Sequence, residues 1–121
     1  MPETPRVLVI DDDRQILRLF KRILSNGGVS VVGVESGRRA MDLLGSEEFK
    51  VIVLDMDMPE PDGFGVLRVL RTDRQRPRIL AVSGYMQGQL LDAAAFLGAD
   101  ATLGKADAPK LLLSAVNDLM R

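Results

Sequence analysis

Five short apolar runs, their starts 20 to 28 residues apart, constrain this chain more than any other feature: Val7-Leu8-Val9-Ile10, Val31-Val32-Gly33-Val34, Val51-Ile52-Val53-Leu54, Ile79-Leu80-Ala81-Val82 and Ala101-Thr102-Leu103. Most are rich in β-branched residues, and each is too short for a helix. None alternates apolar with polar as a half-exposed strand does, which predicts strands covered on both faces, as in a parallel sheet. The spacing leaves room for one helix and two turns between neighbours.

The intervening segments carry the helical period. Ile16, Leu19, Phe20, Ile23 and Leu24 fall at i, i+3, i+4, i+7 and i+8, one apolar stripe with Arg14, Arg18, Lys21 and Arg22 around the rest of the turn. Asn26-Gly27-Gly28 supplies a stop, because glycine past a helix end adopts positive φ cheaply. Ala40, Leu43 and Leu44 mark a second helix, and Val66, Leu67, Val69 and Leu70 a third. Leu90 to Leu97 and Leu111 to Met120 mark the fourth and fifth. The pattern is (βα)5, an α/β chain. Right-handed crossovers then favour an open, doubly wound sheet over a barrel, which needs eight units. With 121 residues, a single domain over 1–121 with a core of about 6–120 is expected, burying roughly 65% of its unfolded surface. The charge run from Arg71 to Arg78 reads as a solvated helix end and loop.

Composition removes whole classes of chemistry. The chain has no cysteine and no histidine, so disulfides, thiolate metal sites, a Ser-His-Asp triad and a phosphohistidine on this chain are excluded. Sixteen Lys+Arg against seventeen Asp+Glu give no electrostatic case for a nucleic-acid binder. The longest apolar runs, four to five residues, fall far short of the roughly 20 a membrane helix needs. Met1-Pro2-Glu3-Thr4-Pro5 lacks the basic and apolar regions of a secretory signal, so a cytoplasmic location is expected, with neither nucleic acid nor membrane as a partner of these residues.

In open α/β sheets, ligands bind outside the carboxyl ends of the strands. There the first run is followed by Asp11-Asp12-Asp13, the third by Asp55-Met56-Asp57-Met58-Pro59, the fourth by Ser83-Gly84 and the fifth by Gly104-Lys105. Taken singly, an Asp before a helix is an N-cap, Ser-Gly a turn and Lys a surface residue. Jointly, three to five carboxylates on adjacent strand ends repel one another unless a cation neutralises them. Oxygen ligands alone select a hard ion, and Mg²⁺ fits because it keeps positions for water and a phosphate oxygen. A hydroxyl and an ammonium would complete a phosphoryl-binding pocket, since phosphoryl transfer asks mainly for positioning and charge neutralisation.

Asp11-Asp12, the segment Leu54-Asp55-Met56-Asp57-Met58-Pro59-x-x-Asp62-Gly63, Ser83-Gly84 and Lys105 resemble the receiver domain of two-component response regulators, from Val7 to Met120. The resemblance implies a flavodoxin-like five-stranded parallel sheet in order 2-1-3-4-5, with two helices on one face and three on the other. It implies Asp55 as phosphoacceptor, attacking a phosphohistidine on a sensor histidine kinase or phosphotransfer protein, or a small acyl phosphate. It further implies Asp12 as direct Mg²⁺ ligand beside Asp55, Asp11 through a water, and the backbone carbonyl of Asp57 as a third protein ligand. Ser83 and Lys105 would bind phosphoryl oxygens, Gly84 would leave space for the group, and Asp13 would cap the first helix. The implied role is a stand-alone signalling switch, of the chemotaxis or phosphorelay kind, without enzymatic turnover of its own.

Two departures stand out. Ala106 follows Lys105 where the family has proline, and Thr102 stands where it has an aromatic switch residue. Lys105 is expected to reach the site regardless, because its flexible stem absorbs a small backbone shift. Thr102 is too small to carry the switch, so Tyr85, Met86 and the start of the fourth helix are expected to move. That helix is apolar over more than one buried stripe requires, and its surplus face, with the fifth strand and fifth helix, is the expected surface for a downstream protein. Two rivals share parts of the pattern. Haloacid-dehalogenase-type phosphatases also use an Asp-x-Asp strand end, but carry their second acidic pair after the lysine. A phosphorylation-independent adaptor on the same fold is the other.

Overall fold

A run that is apolar at every position still alternates its side chains between two faces once it is extended. The computed structural model, which describes residues 6–59, 62–84 and 89–121, shows that alternation sorting the core into two halves. Strands β1 (Arg6–Ile10), β2 (Ser30–Val34), β3 (Val51–Asp55), β4 (Arg78–Ser83) and β5 (Ala101–Gly104) form one parallel sheet in order β2-β1-β3-β4-β5. Helices α1 (Arg14–Asn26), α2 (Gly37–Leu44), α3 (Asp62–Leu70), α4 (Gln89–Phe96) and α5 (Ala108–Met120) connect and follow them. Leu8, Ile10, Ile52, Leu54, Ile79 and Ala81 pack under α2, α3 and α4. Val7, Val9, Val51, Val53, Leu80 and Val82 pack on the other face, under α1 and α5.

The helices depart from the sequence reading in phase. On α1 the buried residues are Leu17, Phe20 and Leu24, while Leu19 is exposed. Six apolar residues (Ile16, Leu17, Leu19, Phe20, Ile23 and Leu24) share one broad face of that helix, and only contact with the sheet decides which line of it faces inward. Val69 on α3 is likewise exposed, leaving Val66, Leu67 and Leu70 as its core line. The edge strands are not covered on both faces: only Val34 of β2 and Leu103 of β5 are fully buried, and Thr102 is exposed. The stop after α1 forms as expected. Gly28 takes φ +84°, and the N–H groups of Gly28 and Val29 bond back to the carbonyls of Ser25 and Leu24, which satisfies the last turn.

The charge run from Arg71 to Arg78 is not simply solvated. Arg76 donates to both carboxylate oxygens of Asp100 at 2.7 and 3.3 Å and to the Gly98 carbonyl at 3.1 Å. Asp100 Oδ2 also accepts from the Ile79 N–H at 2.8 Å. This clamp ties the turn before β5 to the start of β4, at the sheet end opposite the Asp cluster.

Candidate functional site

Strand register brings the polar residues level. Ile10 lies opposite Leu54 and Asp55 opposite Val82, while Ser83 lies opposite Gly104. Asp11 continues the parity of Val7 and Val9, Asp55 that of Val51 and Val53, and Lys105 that of Leu103, so one side of the sheet end receives all three. The close approach of α3 holds β3 in place: a Cβ on Gly63 would lie 2.8 Å from the Asp55 carbonyl oxygen. Asp13 caps α1, accepting from the N–H groups of Gln15 and Ile16.

Asp11 and Asp55 are almost wholly buried, at 1% and 2% exposure, whereas Asp12 is exposed. Carboxylate oxygens of the three lie within 4.8 Å of one another. Asp11 Oδ1 accepts from the Asp13 N–H and Asp55 Oδ1 from the Asp57 N–H, both at 2.9 Å. Asp11 Oδ2 and Asp55 Oδ2 are buried with no hydrogen bond from the described residues. Lys105, at the head of a 3₁₀ turn Lys105–Asp107, places Nζ 3.1 Å from Asp55 Oδ1, 3.2 Å from Asp57 Oδ2 and 3.6 Å from Asp11 Oδ2. It reaches the site without a following proline.

Burial pushes the Asp11 carboxyl up to about 7, with the Asp55 charge adding to it and the Asp13 N–H and Lys105 opposing. Burial likewise raises Asp55, against the Asp57 N–H and Lys105. For Asp57 burial acts in the same direction but is outweighed by the Ser83 hydroxyl, the Gly84 N–H and Lys105, so its carboxyl is held low. Lys105 would be lowered by burial, yet Asp55, Asp11 and Asp57 raise it. Three carboxylates thus share one ammonium, and two buried oxygens have no hydrogen-bond donor among the described residues. A hard divalent cation among Asp11, Asp12 and Asp55 fits that deficit.

The structure brings together every residue singled out at the strand ends: Asp11, Asp12, Asp55, Asp57, Ser83, Gly84 and Lys105. Tyr85 and Met86 lie outside the described residues, as do Glu60 and Pro61 of the turn before α3. The resemblance implies a role only for the backbone carbonyl of Asp57. Its side chain is engaged as well: Asp57 Oδ1 accepts from Ser83 Oγ, and Oδ2 from the Gly84 N–H at 2.9 Å. A signal for this lies in Met56 and Met58, which are apolar and bury into the core and leave the position between them to face away from it.

The sequence profile of the response regulator receiver domain matches residues 7–117. The chain is 37% identical over 116 residues to the response regulator MprA of Mycolicibacterium vanbaalenii, covering 96% of this chain and 50% of that protein. It is 31% identical over 118 residues to the transcriptional regulatory protein CpxR of Escherichia coli K12, covering 96% and 49%. The chain therefore spans about half the length of these curated relatives. Among solved structures it is similar to the signal receiver domain of a response regulator from Bermanella marisrubri, with TM-score 0.88, 33% identity and coverage of 98% and 100%. A Francisella response regulator receiver domain gives 0.87, 28% and 97% of each chain. With this match over the sheet, its strand order and the acidic strand ends, the chain belongs to the response regulator receiver domain family, the phosphoacceptor modules of two-component signalling.

Proposed function

We propose that Asp55 is the phosphoacceptor of a switch that a histidine kinase or histidine phosphotransfer protein sets, and that a small acyl phosphate can also set. The observation that carries this reading is a buried carboxylate, 2% exposed, grouped with those of Asp11 and Asp12 and 3.1 Å from the Lys105 ammonium. In the transfer, an Asp55 carboxylate oxygen forms the new O–P bond while the P–N bond of the donor phosphohistidine breaks. The electron pair leaves with the imidazole nitrogen. Lys105 favours the ionised nucleophile that burial disfavours, and with Ser83 it supplies donors for the phosphoryl oxygens. Asp12, Asp55 and the backbone carbonyl of Asp57 would hold Mg²⁺, with Asp11 acting through water. The ion supplies neutralisation of phosphoryl charge when bound.

The output is a change of protein partner, for which α4, β5 and α5 offer the surface. Phe96 is 90% exposed on α4 and Leu111 48% exposed on α5, with Thr102 exposed on β5. Incubation with acetyl phosphate and Mg²⁺, followed by intact mass measurement, tests the assignment. One phosphoryl group is expected on the wild type, and none on Asp55→Asn or after chelation. Undiminished labelling of Asp55→Asn overturns it.

A further inference from the structure

Burial still alternates through the bends that follow β3. Met56 and Met58 are buried at 2% and 5% in the core under α2, α3 and α4. The Asp55 and Asp57 carboxylates both reach Lys105 Nζ, at 3.1 and 3.2 Å, and the Asp57 N–H is tethered to Asp55 Oδ1. From that position the Asp57 carboxylate spans to β4 and β5. It accepts from Ser83 Oγ and the Gly84 N–H, and it pairs with Lys105 Nζ at 3.2 Å. A hydroxyl, a backbone N–H and an ammonium converging on two anionic oxygens are the donor set that a transferred phosphoryl group needs.

We propose that the Asp57 carboxylate is a built-in occupant of the phosphoryl cradle, a competitor that the incoming group must displace. The inference rests on the phosphoacceptor reading of Asp55. Ser83 has one hydroxyl proton and Gly84 one amide proton. While Asp57 holds them, neither is directed at another anion. The Asp57 side chain is 19% exposed, so rotation about its Cα–Cβ bond can release the donors toward solvent. That rotation leaves its N–H on Asp55 and its carbonyl in place. Asp57 is thus a positioning residue: it fixes the cradle's donors while the domain rests, and it sets how readily the domain takes up its phosphoryl group.

Two measurements on wild type, Asp57→Asn, Asp57→Ala and Asp57→Glu test this. In metal-free protein, the Gly84 amide proton is expected to move upfield in Asp57→Ala, because a charge-assisted hydrogen bond is lost. With Mg²⁺ present, beryllium fluoride is titrated as the phosphoryl analogue. Asp57→Ala and Asp57→Asn are expected to bind it about tenfold tighter than wild type, the scale of one hydrogen bond to a charged group removed from competition. Asp57→Glu separates occupancy from simple charge repulsion. Its charge is kept, but its longer stem misplaces the two oxygens, so it too binds tighter than wild type if occupancy matters. Wild-type affinity in Asp57→Glu, whether or not the other two variants bind tighter, or an unmoved Gly84 amide, overturns the occupant role while the phosphoacceptor reading stands. Failure of wild type and all variants to bind the analogue overturns both.

Discussion

Arg76 and Asp100, 24 positions apart, meet in a two-point ion pair with side chains only 18% and 17% exposed. Asp100 also accepts the Ile79 N–H, and the Asp100 N–H donates to the Ile79 carbonyl. One carboxylate thus fastens the entry of β5 to the entry of β4. The site at the other end of the sheet depends on that register, because Ser83 lies opposite Gly104, the residue before Lys105.

Removing this carboxylate leaves Arg76 and the Ile79 N–H without their acceptor. Asp100→Ala is expected to cost about 1.5–3 kcal/mol, the range for hydrogen bonds to a charged group. The pH dependence follows from the depressed Asp100 carboxyl, where burial acts upward but Arg76, Ile79 and Arg78 outweigh it. The contribution is fully present above the unfolded carboxyl value of about 3.9 and is lost as pH falls through the lower folded value. Urea unfolding of wild type and Asp100→Ala from pH 7 down to 2 should show the gap between them closing only in acid. A constant gap, or none at pH 7, contradicts the clamp.

Asp11 has the opposite sign. Its folded carboxyl lies near 7, well above an unfolded value of about 3.9. The folded metal-free protein therefore holds a proton that the unfolded chain has released. Its contribution to stability is complete below pH 4 and is lost as pH rises through about 7, at up to about 1.4 kcal/mol per pH unit for one proton. Burial raises Asp55 as well, and acts in the same sense. A divalent cation reverses the trend, because its ligands must be deprotonated and its affinity rises with pH. Thermal unfolding from pH 5 to 8 should show a falling Tm without metal and a growing Tm increment with Mg²⁺. Asp11→Asn should flatten the metal-free curve and reduce the increment. A metal-free Tm that climbs between pH 5 and 7 contradicts this assignment.

The strands and the site were legible because both follow from position along the chain. An apolar run fixes a strand, and the residue after it stands at the strand's carboxyl end, so Asp11, Asp55, Ser83 and Lys105 could be placed from one dimension. What required three dimensions was helix phase and pairing at a distance. Leu17 and Leu19 are both apolar on α1, and the sheet chose Leu17. Arg76 sits in a run of charges that looks solvated until Asp100 is folded back onto it. The Asp57 carboxylate falls between these cases: Met56 and Met58 give its direction, but only the fold shows that Ser83, Gly84 and Lys105 await it.

Gly63 makes the last prediction, because the constraint on it is backbone against backbone. A Cβ there would lie 2.8 Å from the Asp55 carbonyl oxygen and 3.3 Å from Met56 Cα, atoms that cannot swing aside as a side-chain tip can. Gly63→Ala must push α3 off the end of β3 or displace the segment that carries Asp55 and Asp57. Overpacking of this kind costs about 1–3 kcal/mol. The displacement should also loosen the Asp57 contacts to Ser83 and Gly84. Gly45 supplies the control. It has right-handed helical angles, with φ −73° and ψ −19°, and a Cβ there meets only the carbonyl oxygens of Asp42 and Met41, at 3.4 and 3.7 Å. Gly45→Ala should therefore stabilise by about 0.4–1 kcal/mol, by restricting the unfolded chain. Urea midpoints of the two variants should move in opposite directions. Amide shifts at Asp57 and Gly84 should change in Gly63→Ala and stay fixed in Gly45→Ala. If Gly63→Ala matches the wild type in both midpoint and amide shifts, the close approach of α3 does not hold the site.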